Sequence, residues 1–200
     1  FAYNPQIKIF TILRNPAERS FSEFLFSMQN GVCPYKNFEE AIENNPAKYL
    51  STSDYYKNLV PFFKLFPNEN IGIFFFDDMK ADGKKFLETI YNFLGVKNYL
   101  PNDFDAPVNV GMQAKSQRLN NFIGKAKMFI HSKNLNFLLP VLQKTHLLDG
   151  VKKLKEKNLK ARVIKETISK ETREKLYSYF KQDIQNLELI TNRNLEHWYH

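Results

Sequence analysis

Apolar positions along the chain follow two different periods. Residues 7–13 (Ile7-Lys8-Ile9-Phe10-Thr11-Ile12-Leu13) form a short, β-branched, mostly apolar run, and residues 71–76 (Ile71-Gly72-Ile73-Phe74-Phe75-Phe76) form a second. Runs of this length and composition predict strands buried on both faces, as in a parallel sheet. The other apolar residues recur at helical spacing. Phe21, Phe24, Leu25 and Met28 predict a helix that Asn15 caps, Pro16 opens and Asn30-Gly31 stops, with Glu18 three residues after the cap. Tyr56, Leu59, Val60, Phe63 and Phe66 predict another, capped by Ser53 or Asp54 and ended before Pro67. Phe86, Leu87, Ile90, Tyr91 and Leu94 line one face of a helix over 83–94 that Gly95 terminates, and Leu176, Phe180, Ile184 and Leu187 line a long helix over 170–190.

Between these elements the pattern weakens. Residues 31–53 read as irregular with a short helix at 38–43, residues 96–116 as a long loop with Pro101 and Pro107, and residues 117–130 as helical. The lysine-rich stretch 131–168 carries no assignable period. Strand, helix, helix, strand, helix is the order of crossover units on a parallel sheet. Two strands are too few to complete such a sheet, and the expected place for the rest is before Phe1. The chain does not open on Met, so Phe1 is not expected to be the natural start.

Composition narrows the class. At 200 residues, 43% hydrophobic and 15% aromatic, the chain is expected to form one domain with a real core. The 19 Phe fall within periodic segments rather than in low-complexity runs. No apolar run reaches the roughly 18–20 residues needed to span a bilayer, and no signal peptide is visible, so no stable membrane insertion and a cytoplasmic location are expected. The one cysteine, Cys33, excludes an intrachain disulfide and favours a reducing compartment. The four His pair with no Cys, Asp or Glu at a ligand spacing, so no metal is expected. The formal charge of +8 fits either a solvated lysine-rich surface or an anionic ligand.

Candidate chemistry concentrates in Arg14-Asn15-Pro16-Ala17-Glu18-Arg19-Ser20-Phe21-Ser22, which joins the first strand to the first turns of its helix. Ligands of open α/β sheets sit at the carboxyl ends of strands. A helix start adds N–H groups and a positive dipole end, both suited to phosphate, and Arg14 adds a charge able to contact phosphate bidentately. Ser22, two turns in, carries a hydroxyl that can donate to the same anion. The same residues also read as a plain strand end followed by a capped helix.

The segment resembles the 3′-phosphate-binding motif of the sulfotransferase superfamily, and the resemblance continues in order. Asp54-Tyr55-Tyr56-Lys57-Asn58-Leu59, then residues 70–79 ending in Phe76-Asp77-Asp78-Met79, are similar to the family's next helix and strand, where Tyr-Glu-Asp-Leu is usual. Phe93-Leu94-Gly95-Val96 matches a helix end of the family. Residues 109–118 (Asn109-Val110-Gly111-Met112-Gln113-Ala114-Lys115-Ser116-Gln117-Arg118) are similar to a basic loop of bacterial members, and the region from Leu176 to Trp198 is similar to the family's C-terminal helix and terminal Trp.

The resemblance implies the following. The fold is an α/β, P-loop-NTPase-like three-layer sandwich with a parallel sheet, incomplete at its N-terminus and helix-rich in its C-terminal half; residues 1–200 are the C-terminal portion of a single sulfotransferase domain. The activity is transfer of a sulfuryl group from 3′-phosphoadenosine 5′-phosphosulfate, with no metal, to a hydroxyl or amine of an acceptor small molecule or glycan, carbohydrate or lipid-linked, and not to nucleic acid. Arg14 and Ser22 bind the donor's 3′-phosphate, Arg19 supports them or touches the ligand, and Lys115, Ser116 and Arg118 close over the nucleotide. The family's phosphosulfate loop and its catalytic base are expected upstream of Phe1, since neither His131, His146, His197 and His200 nor Ser51-Thr52-Ser53 stands at a matching position. These residues alone are therefore expected to be inactive. Two other readings stay open: a P-loop-type nucleotide kinase, with Asp77 and Asp78 as the carboxylates at a strand end, and a non-catalytic basic anion-binding module.

Overall fold

The structure is a computed structural model and describes residues 4, 6–101, 104, 112–114, 116, 118–119, 121–123, 147–161 and 167–199. In chain order the elements are β1 (Ile9–Leu13), α1 (Pro16–Gln29), α2 (Phe38–Asn44), α3 (Pro46–Tyr49), a 3-10 turn Ser51–Ser53, α4 (Tyr55–Leu65), a second turn Asn68–Asn70, β2 (Ile71–Phe75), α5 (Phe76–Ala81), α6 (Gly83–Leu94), β3 (Met112–Ala114), α7 (Leu147–Asn158), β4 (Leu159–Ala161), α8 (Lys170–Thr191) and a last turn Glu196–Tyr199. They fall into two compact units, one of Phe1–Phe21, Ile42–Ala106 and Ile168–His200, the other of Ser22–Ala41 and Pro107–Thr167.

In the first unit β1 and β2 pair in parallel, from Ile9 opposite Ile71 to Leu13 opposite Phe75. The parallel pairing agrees with the sequence reading, but burial on both faces does not. Phe10 and Ile12 are 46% and 43% exposed, and exposure alternates along β1. Among the described residues this sheet has these two strands. At Gly72 a Cβ would stand 2.8 Å from the Phe74 ring, 2.9 Å from the Phe93 ring and 3.1 Å from Phe10 Cβ, so the close approach of these three aromatics requires glycine there. Phe74 meets Phe10, Phe86 and Phe93 edge-on, with centroids 5.7–6.1 Å apart.

Helix α8 packs along α4 and buries Leu176, Phe180, Ile184 and Leu187, the predicted stripe. Ser169 caps it by accepting from Thr172 N. Helix α6 starts with Asp82 accepting from Lys85 N and ends at Gly95 in the left-handed region, φ 72, the predicted stop. Helix α4 departs from expectation. Its buried residue is Tyr55, while Tyr56, Leu59, Val60, Phe63 and Phe66 are half-buried. Asp54 holds the cap position but makes no capping bond with its side chain. Asp183 of α8 accepts from Tyr56 N at 3.0 Å and Lys57 N at 3.1 Å instead.

In the second unit, Phe24 on the distal part of α1 packs on Phe38 with ring centroids 5.7 Å apart, and the buried Cys33 thiol donates to Tyr35 O at 3.8 Å. β3 and β4 form an antiparallel pair centred on Gln113 opposite Lys160. β3 lies inside the predicted loop 96–116, which is corrected to that extent. Its partner is distant in sequence, so no local pattern marks it. α7 and β4 occupy part of the stretch that had no assignable period. Residues 118–119 and 121–123 are helical, inside the predicted 117–130. Among the described residues no helix is long and apolar enough to cross a membrane.

Candidate functional site

The parallel register sets the carboxyl ends of β1 and β2 side by side, Leu13 against Phe75. Arg14 and Asn15 leave the first end and α5 leaves the second. Asn15 is 7% exposed and caps α1: its Oδ1 accepts from Ala17 N at 3.0 Å and Glu18 N at 3.3 Å. Glu18, in the first turn of α1, pairs at 2.9 Å with the guanidinium of Arg14, which precedes the helix. Arg14 also lies 5.4 Å from the centroid of the Phe76 ring. A guanidinium carries five N–H donors in a fixed fork, the geometry that suits carboxylate and phosphate oxygens.

Arg19 is held by hydroxyls, Nη1 donating to Thr52 Oγ1 at 2.6 Å and Ser53 Oγ at 3.2 Å. Ser20 donates to Pro16 O at 2.8 Å and stands 3.1 Å from Ser53 Oγ, which ties the first turns of α1 to the turn Ser51–Ser53. A cavity of about 440 Å³ runs along β1, with Arg14, Arg19, Thr52 and Tyr55 at one end and Leu59, Phe62 and Gly72 in its wall. Burial pushes the Tyr55 phenol up to about 12, against the pull of the Arg19 and Arg14 charges. At neutral pH it is therefore a neutral hydroxyl beside two fixed cations. Thr52 and Tyr55 were missed from the sequence. The polar run 51–54 reads as helix-capping chemistry, and only the fold turns it toward Arg19.

The two carboxylates after β2 are both engaged. Asp78 accepts from Arg193 Nη1 and Nη2, each at 2.6 Å, and the Arg193 guanidinium lies 4.3 Å from the Phe75 ring centroid. Asp77 Oδ2 stands 3.0 Å from His197 Nε2 and accepts from Trp198 Nε1 at 2.8 Å. Burial pushes the Asp77 carboxyl up, but the His197 and Trp198 bonds and the His197 and Lys80 charges together hold it below its usual value. Among the described residues no group of three or more His, Cys, Asp or Glu is placed to hold a metal ion.

The remaining candidates belong to the second unit. Ser22 lies on α1 in the second unit, half-buried. Ser116 and Arg118, also in the second unit, are exposed, and Ser116 Oγ accepts from Leu119 N at 3.4 Å at the start of a helical stretch. Lys115 lies outside the described residues.

The comparisons with known proteins agree with each other. The family model described as "Sulfotransferase domain" matches residues 2–110, more than half of the chain. The crystal structure of a sulfotransferase from Alicyclobacillus acidocaldarius superposes with a TM-score of 0.60 at 16% sequence identity, a likeness of fold. The match takes in 100% of this chain and 60% of that one, so the chain spans about three fifths of its structural relative. No curated protein matches the chain in sequence. With a parallel β1–β2 pair, a capped helix after β1 carrying the arginine motif, and a family match running from residue 2 to residue 110, this chain belongs to the sulfotransferase domain family.

Proposed function

We propose that this chain is the nucleotide-holding, C-terminal portion of a single sulfotransferase domain with a P-loop-like three-layer core. The domain transfers a sulfuryl group from 3′-phosphoadenosine 5′-phosphosulfate to a hydroxyl or amine of a small-molecule or glycan acceptor. The observation that carries this reading is the junction of β1 and α1. There Arg14, just before a capped helix, and Arg19, braced by hydroxyls, line one cavity in a chain of net charge +8. In this assignment Arg14 and Ser22 hold the donor's 3′-phosphate, and Lys115, Ser116 and Arg118 cover the nucleotide. In the transfer itself, the acceptor oxygen or nitrogen bonds to sulfur in line as the sulfur–oxygen bond to the 5′-phosphate breaks. The acceptor proton passes to a base, and the nucleotide leaves with the negative charge. That step needs charge stabilisation at the leaving phosphate oxygen and a positioned base. Neither is assigned to any of these 200 residues, so the portion in hand recognises the donor without turning it over.

The kinase reading is disfavoured by a specific observation. Nucleotide kinases hold Mg²⁺ on carboxylates, and the pair at the end of β2 is already committed to Arg193, His197 and Trp198. Calorimetry with adenosine 3′,5′-bisphosphate and with ATP, each with and without Mg²⁺, separates the two. The expected result is metal-independent preference for the 3′-phosphorylated nucleotide. Metal-dependent preference for ATP contradicts the assignment, as does radiolabelled sulfate transfer by residues 1–200 alone for the division of labour.

A further inference from the structure

We propose that the C-terminal turn acts on the nucleotide seat, with Trp198 and Asp77 positioning the start of α1 through Asn15. This rests on the donor-binding reading above.

The connection is a chain of directed hydrogen bonds across both strand ends. Asp77, just after β2, accepts the indole N–H of Trp198 at 2.8 Å. The main-chain carbonyl of Trp198 accepts from Asn15 Nδ2 at 3.0 Å, bridging 183 residues of sequence. Asn15 Oδ1 in turn accepts from the first N–H groups of α1. Trp198 is 1% exposed, with its ring 5.9 Å from Phe75 and 6.3 Å from Tyr55, so the carbonyl that holds Asn15 is itself fixed by packing.

The residue type at position 15 points to the same conclusion. Ser, Thr or Asp caps a helix about as well as Asn. A carboxamide accepts from the helix start through its oxygen and donates outward through its nitrogen, whereas a carboxylate has no donor and a hydroxyl must do both through one atom. A cap whose one task was to satisfy α1 would not need the donor. Here the donor is used, and it makes the orientation of the cap depend on residue 198. Because the cap fixes the backbone between Arg14 and Ala17, it sets how the Arg14 guanidinium is presented at the end of β1. Trp198 and Asp77 touch no ligand in this arrangement, so both are positioning residues.

Trp198 is the one tryptophan of the chain, which gives a direct readout. The experiment titrates adenosine 3′,5′-bisphosphate into the 200-residue chain and follows Trp198 emission alongside calorimetry. Asn15→Ser keeps a neutral cap and removes the Nδ2 donor; Asp77→Leu keeps the volume and drops the acceptor for the indole. The expected result is a saturable emission change in the wild type, with the calorimetric midpoint. Asn15→Ser is expected to bind roughly ten-fold more weakly, the loss of about one hydrogen bond to the seat, with a diminished emission response and a retained melting transition. Should Asn15→Ser not fold, the same loss in Asp77→Leu carries the test. Wild-type affinity in the folded variant, or emission that ignores the nucleotide while calorimetry records binding, overturns the positioning role and leaves the donor site standing. Absence of any nucleotide binding by the wild type overturns both.

Discussion

Arg193 grips Asp78 with both terminal nitrogens, each 2.6 Å from a different carboxylate oxygen, although the two residues lie 115 positions apart. The guanidinium also covers the Phe75 ring. This contact joins the segment after α8 to the first turn of α5. Both side chains remain partly exposed, 33% and 46%, so the pair works against solvent screening and its worth lies at the upper end of the range for surface pairs. A double-mutant cycle with Arg193→Met and Asp78→Asn is expected to return a coupling of about 0.5–1 kcal/mol, and each single variant a melting drop of a few degrees. Additive single effects would show that the fork contributes nothing.

The Asp54 carboxyl is held above its usual 3.8 by burial first and the Asp183 charge second, against the Tyr179 hydrogen bond and the Lys57 charge. An acid whose folded pKa is raised favours the fold while it is protonated, below its unfolded value. That contribution is lost as pH rises through the folded value. Asp54→Asn keeps an oxygen for the Tyr179 hydroxyl, which lies 3.3 Å away, and removes the charge. The variant is therefore expected to melt higher than wild type at pH 7, with the advantage shrinking as pH falls toward the usual carboxylate value of 3.8. A difference constant across a melting series from pH 3.5 to 7.5 would contradict the assignment.

Gly72→Ala is expected to destabilise the first unit by about 1–3 kcal/mol, the usual cost of forcing atoms into a filled site. The added methyl would stand 2.8 Å from Phe74 and 2.9 Å from Phe93, and the edge-on ring pairs there cannot all be kept. Urea unfolding measures the cost. A variant as stable as wild type would mean the rings move aside freely.

Arg14→Ala is expected to weaken adenosine 3′,5′-bisphosphate about 10- to 100-fold, the range for hydrogen bonds to a charged group. Adenosine 5′-monophosphate, which lacks the 3′-phosphate, should lose much less. The loss should not be reproduced by raising salt, as it would be for a general basic surface. Equal losses for both nucleotides in calorimetry would remove Arg14 from the 3′-phosphate seat.

Much of the frame was legible because it is local. Helix α1 runs from Pro16 to Gln29 as its cap, opening proline and stop imply, and α6 ends on Gly95 as drawn from sequence. The α8 stripe Leu176, Phe180, Ile184 and Leu187 is buried as its spacing requires. The partner of α4 was not legible. Its cap is Asp183, 127 residues from Tyr56, and the one sequence signal was an acid three residues after Phe180 on an otherwise apolar face. The exposure of Phe10 and Ile12 on β1 was not legible for a related reason. An apolar run records which residues are suited to burial, not what packs against them.

The sequence alone determined the family, the parallel strand pair, and the capped helix that follows Arg14 at the end of the first strand. Each follows from residue type at short spacing, where helix and strand periods and cap chemistry act. Only the tertiary structure decided what each polar group binds: that Arg19 rests on Thr52 and Ser53, that Asp77 and Asp78 belong to the C-terminal segment, and that Asn15 answers to Trp198. A hydrogen bond needs two atoms at about 3 Å with a suitable angle. When the two residues stand more than a hundred positions apart, chain folding alone brings them to that distance, and no local pattern records it.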